Sequence, residues 1–88
     1  MTYQYFQKTL ESFGLPREEM EELQYLVFSL PNDRARERAL LKLTQNPDLL
    51  SAITNFIKKK ARFVGEINEP GWDKIMAEQK TILKFLQT

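Results

Sequence analysis

Residues 46–65 read NPDLLSAITNFIKKKARFVG and carry the clearest helix signal in the chain. Asn46 is a preferred N-cap residue, Pro47 suits the first helical position, and Asp48 favours the positive end of the helix dipole. Apolar side chains then recur at three- and four-residue steps, the spacing of one buried helix face. These apolar positions are Leu49, Leu50, Ile53, Phe56, Ile57, Ala61 and Val64. Gly65 is a natural C′ residue, so the pattern predicts a helix that ends there.

The same periodicity recurs before this segment, and no stretch shows sustained strand-like alternation. A first helix is predicted over 2–13, because Gly14 follows as a C′ residue. Pro16 suits the first turn of a second helix, which Pro31 stops. Asn32 is then a good N-cap for a third helix.

The C-terminal part of the chain predicts one more helix. A loop is predicted at Asn68, Glu69, Pro70 and Gly71. The apolar spacing resumes at Trp72, which we assign to the core, and continues to Leu86. Short connections favour antiparallel neighbours. The predicted fold is therefore a single all-α domain over 1–88, a compact bundle of four to five short, mostly antiparallel helices, with the first helix as a lid.

The composition excludes most catalytic and metal chemistry. The 88 residues include no cysteine and no histidine, and the three glycines lie too far apart for a phosphate-binding loop. We therefore predict a protein that is not an enzyme and has no metal and no cofactor. The N-terminus lacks the pattern of an export signal, and no apolar run approaches a membrane span. These features predict a soluble cytoplasmic protein.

The aromatic residues near the N-terminus are more numerous than two short helices need for a core. Tyr5 and either Tyr25 or Phe28 fall off the principal apolar stripes, which predicts an exposed aromatic patch. The leading hypothesis is a small non-enzymatic helical adaptor or regulatory module that binds another protein, or a second copy of itself, through Tyr5, Tyr25 and Phe28.

The alternative hypothesis is a nucleic-acid-binding domain that uses a basic face of the third and fourth helices. The formal net charge is only +1, so local patches alone could attract phosphates. The candidate residues are Arg34, Arg36, Arg38, Lys58, Lys59, Lys60 and Arg62. A solvated outer face explains the same residues without any ligand. Membrane attachment through the fourth helix is a weaker possibility, because its apolar side is needed for the core.

A cluster of acidic residues precedes this basic region. It consists of Glu18, Glu19, Glu21 and Glu22 at the start of the predicted second helix. The cluster suits a solvated helix N-terminus, or it could bind a basic partner or the basic face of another copy.

Overall fold

Five α-helices follow one another along residues 3–63 and 69–88, the part of the chain that the computed structural model describes. The helices are α1 Tyr3–Ser12, α2 Arg17–Phe28, α3 Asp33–Gln45, α4 Pro47–Phe63 and α5 Glu69–Gln87. These residues include no strand. The predicted all-α helical bundle is confirmed.

Local signals set the starts of α3 and α4 as predicted, whereas Pro16, predicted for the first turn of α2, is instead its N-cap residue. The Oδ1 atom of Asn32 accepts a hydrogen bond of 2.9 Å from the backbone N–H of Ala35, and Asn46 Oδ1 accepts one of 3.1 Å from the N–H of Leu49. Each bond satisfies an N–H group that has no partner inside its helix. Gly14 follows α1 with a φ of +67°, a left-handed conformation that costs glycine little.

The start of α5 differs from the prediction. Glu69, Pro70 and Gly71 belong to its first turn, whereas the sequence pattern placed them in a loop. Proline is tolerated in a first turn, where a backbone N–H has no partner in any case. At Gly71 a Cβ atom would lie 2.5 Å from Cε1 of Phe63, so the glycine lets the end of α4 approach α5 closely. The predicted roles of Val64, Gly65 and Asn68 lie outside the described residues.

One apolar core joins all five helices. α3 contacts α2, α4 and α5, and α4 in turn contacts α2 and α5. Lys59 pairs with Glu78, whereas Phe63 lies against Gly71, so α4 and α5 run antiparallel. Trp72 packs against the core as predicted. The buried residues are Phe6, Leu10, Leu23, Leu26, Val27, Leu30, Ala39, Leu40, Leu43, Ile53, Phe56, Ile57, Ile75 and Leu86.

The first helix contributes directly to this core. Phe6 and Leu10 are fully buried, and the Phe6 ring lies 4.4 Å from the Phe28 ring, centroid to centroid, at a tilt of 38°. Such tilted aromatic pairs add about 0.5–1.5 kcal/mol beyond the burial of their surface. α1 is thus anchored on α2 by buried side chains.

Candidate interaction surfaces

The solvent side of α2 presents two aromatic side chains. The helix buries Leu23, Leu26 and Val27 on one side. On the opposite side, the Tyr25 side chain is 65 % exposed and that of Phe28 is 38 % exposed. Both aromatic residues therefore lie outside the buried face of α2. The sequence pattern predicts this for either Tyr25 or Phe28, but not for both.

The Phe28 ring is held from two sides. One contact is the Phe6 ring of α1, and the other is the Arg36 guanidinium of α3, whose Cζ lies 5.4 Å from the ring centroid. Arg36 also donates hydrogen bonds of 3.2 Å to the backbone carbonyls of Phe28 and Leu30. The Phe28 carbonyl ends α2 and the Leu30 carbonyl follows two residues later, so Arg36 caps the end of α2 and also contacts the Phe28 ring.

Tyr5 lies on the neighbouring helix, next to Phe6, and its side chain is 58 % exposed. Phe6 packs on Phe28, so α1 lies against α2. Tyr5 on α1 and the two aromatic residues on α2 therefore belong to two helices that are in contact. We call Tyr5, Tyr25 and Phe28 the aromatic surface. Exposed apolar side chains are typical of interaction sites where they are neighbours, as Tyr25 and Phe28 are, one helical turn apart.

Two of the lysines that are candidates for phosphate binding pair with the acidic cluster at the start of α2. Lys60 Nζ lies 2.6 Å from Glu22 Oε1, and Lys58 Nζ lies 4.0 Å from Glu19 Oε1. The Lys60 side chain is only 14 % exposed. Two lysines of the basic segment of α4 thus pair with two glutamates at the start of α2 within one chain.

The same segment of α4 also bonds to α5. Lys59 Nζ lies 3.1 Å from Glu78 Oε2, and Lys60 Nζ donates a second hydrogen bond of 2.8 Å to Gln79 Oε1. Lys59 and Lys60, two candidates for phosphate binding or for a solvated outer face, therefore have acceptors on other helices.

The remaining basic residues are divided between two helices. Arg36 is half-buried and pairs with Asp33 at 2.9 Å. Arg34, Arg38 and Arg62 are exposed, and none of the three forms an ion pair with a described residue. The charged ends of Arg36 and Lys60 bond to acceptors within the chain.

A groove of about 560 Å³ lies between α2 and α4. It is lined by Glu18, Glu19, Glu22, Ile57, Lys58, Lys60, Ala61 and Arg62. Charges of both signs face each other across an apolar floor, so the groove has no strong field of one sign. Four of its charged groups form two ion pairs within the groove, Lys58 with Glu19 and Lys60 with Glu22.

Sequence reasoning missed a second group of exposed apolar side chains. Leu41 is 55 % exposed on α3, and Phe85 is 53 % exposed on α5. Lys42 Nζ donates a 2.8 Å hydrogen bond to the Phe85 carbonyl and lies 4.9 Å from its ring centroid. Helical spacing could have identified Leu41, which follows Arg34 and Arg38 by seven and three residues on the side of α3 away from the core.

No protein-family model matches the chain, and neither does any curated protein or solved structure. None of the helices in the described ranges is both long enough and apolar enough to cross a membrane. Within the same ranges, no three potential metal-binding side chains of Asp, Glu, His or Cys come together.

Proposed function

We propose that this chain is a non-enzymatic helical adaptor or regulatory module that binds a protein partner through the aromatic surface of α1 and α2. The observation that carries the proposal is the exposure of Tyr25, 65 %, on a helix whose opposite side lies in the core. Tyrosine combines a large apolar ring with a hydroxyl group and few rotatable bonds, so it loses little conformational entropy when it binds. It is therefore enriched at the energetic centres of protein interfaces.

The setting of the aromatic surface supports the same proposal. Phe28 is fixed between Phe6 and Arg36 before any partner arrives. A surface that is already ordered loses less entropy on binding than a mobile one. Tyr25 and Phe28 lie one helical turn apart, so both can contact the same partner.

The alternative, binding of nucleic acid, has less support. Phosphate binding depends on cations that can exchange their counterions for the nucleic acid backbone. Lys58, Lys59 and Lys60 are each engaged by a carboxylate of α2 or α5. Binding to phosphates would have to break these pairs, or rely on Arg34, Arg38 and Arg62 alone.

The test is capture of a partner from native extract on the immobilised chain, compared between the wild type and Tyr25→Ala. We expect the alanine variant to lose the partner and to keep its helicity, because Tyr25 has little contact with the core. Phe85→Ala is the matched control, because Phe85 is a similarly exposed aromatic side chain on a different helix. A partner held equally by the wild type and Tyr25→Ala would contradict the proposal.

A further inference from the structure

The solvent side of α2 has a defined order of side chains. Glu18 and Glu21 occupy its first half, and Tyr25 and Phe28 occupy its second half, all at the spacing of one helix face. All four residues are exposed. We call them the α2 stripe. Glu18 forms no ion pair with a described residue, and Glu21 pairs only with Arg17, at 3.1 Å, where both side chains are mostly in water.

The solvent side of α3 has the same order with the opposite charge. Arg34 and Arg38 occupy its first half, and Leu41 and Gln45 its second half, again on one helix face. We call these four exposed residues the α3 stripe. Leu41 projects from it with more than half of its side chain in solvent.

The two stripes carry opposite charge, and two of their residue pairs match in spacing. Tyr25 follows Glu18 by seven residues, and Leu41 follows Arg34 by seven residues. Seven residues of helix span about 10 Å in either case. Packed side by side in the same direction, the stripes would place Glu18 against Arg34 while Tyr25 covers Leu41.

We infer that the protein partner of the aromatic surface is a second copy of this chain, which docks the α3 stripe on the α2 stripe. This inference rests on the proposed function and names its partner. Opposite local charges would fix the register and exclude like-charged neighbours. The net charge of +1 adds almost no repulsion between copies.

Such an interface is heterologous, because each copy contributes a different surface. A copy that binds through its α2 stripe still offers its α3 stripe to the next copy. Association therefore continues beyond the dimer unless the rotation between copies closes a ring. The average mass in solution should rise with protein concentration and pass that of a dimer.

Charge reversal tests the pairing of the stripes. Glu18→Arg with Glu21→Arg makes both stripes basic, and Arg34→Glu with Arg38→Glu makes both stripes acidic. Each double variant alone should weaken self-association at least about tenfold, because like charges then face each other. An equimolar mixture of the two double variants should associate again, and so should the chain with all four substitutions.

Matched controls separate pairing from total charge. Glu11→Arg with Asp73→Arg changes the net charge as the first double variant does, and Lys74→Glu with Lys80→Glu matches the second. All four control positions are exposed and lie outside both stripes. Analytical ultracentrifugation of each variant, with helicity followed by circular dichroism, should show wild-type association for the two controls.

The outcomes separate this inference from the proposed function. A wild-type mass that stays monomeric at every concentration overturns the inference, whereas loss of partner capture by Tyr25→Ala would still support a different protein partner. An average mass that rises with concentration and is unchanged by the charge reversals also overturns the inference, because association would then use another surface. Restored association in the mixture and in the fourfold variant, together with normal association of the controls, supports it.

Discussion

Lys60 Nζ lies 2.6 Å from Glu22 Oε1 and joins two helices whose charged residues are 38 positions apart in sequence. The same ammonium group also bonds to Gln79 on α5. Lys60 therefore links α2, α4 and α5 through one side chain that is largely shielded from water. Charged groups that are segregated along the sequence meet here in the folded chain.

We expect Lys60→Ala to lower the free energy of unfolding by about 1–2 kcal/mol, because Glu22 and Gln79 lose a shared, partly buried donor. Lys59→Ala is the matched control on the same helix. Its ion pair with Glu78 is about half exposed on both sides, so we expect a loss of about 0.5 kcal/mol or less. Urea denaturation of both variants provides the comparison. Equal losses in the free energy of unfolding would show that shielding from water does not strengthen the interactions of Lys60.

The N-cap of α4 makes a second prediction. Asn46→Ala removes the acceptor of the Leu49 N–H group, and we expect a loss of about 1 kcal/mol in the free energy of unfolding. Asn55→Ala is the control in the interior of the same helix, where its side chain is exposed. Alanine favours a helix interior, so this variant should be neutral or slightly more stable. Thermal and urea unfolding should show that Asn46→Ala is less stable than Asn55→Ala.

Neighbouring residues of α1 should behave very differently. Phe6→Ala removes a fully buried ring that packs on Phe28, and we expect a loss of about 3–5 kcal/mol. Tyr5→Ala should cost less than about 1 kcal/mol, because the Tyr5 side chain is mostly in solvent. Denaturation curves followed by circular dichroism measure both losses. Similar stabilities for the two variants would mean that α1 is not part of the core.

A titration with nucleic acid tests the alternative function directly. The chain is added to labelled duplex DNA, single-stranded DNA and RNA across a salt series. We expect no binding that weakens steeply with salt, because the α4 lysines are already paired with carboxylates. Strong salt-dependent binding that disappears in a chain with Arg34→Glu, Arg38→Glu and Arg62→Glu would instead favour the alternative.

Helix starts were the most predictable part of the fold. Asn32 and Asn46 cap their helices as predicted, because each cap involves atoms only three residues apart. The prediction for the start of α5 is wrong, because the sequence pattern places Glu69, Pro70 and Gly71 in a loop. At Gly71 the Phe63 ring of α4 comes close to α5, a contact that local sequence does not encode.

The candidate surfaces were predictable only in part. Helical spacing places Tyr5 and either Tyr25 or Phe28 away from the buried stripe, and all three residues are exposed. Their role in binding stays a prediction. The sequence of the basic segment of α4 predicts one cationic face. Its spacing cannot show the carboxylates that pair with it, because Glu19, Glu22 and Glu78 belong to other helices.

The sequence by itself determined the all-α class, a bundle of four to five helices and the caps of α3 and α4. These features depend on periodicity and on hydrogen bonds within a single helical turn. Only the tertiary structure decided which charges meet. Lys60 and Glu22 are brought together by the packing of α2 on α4, although they lie 38 positions apart in sequence. That contact depends on how whole helices pack, which residue spacing within one helix does not specify.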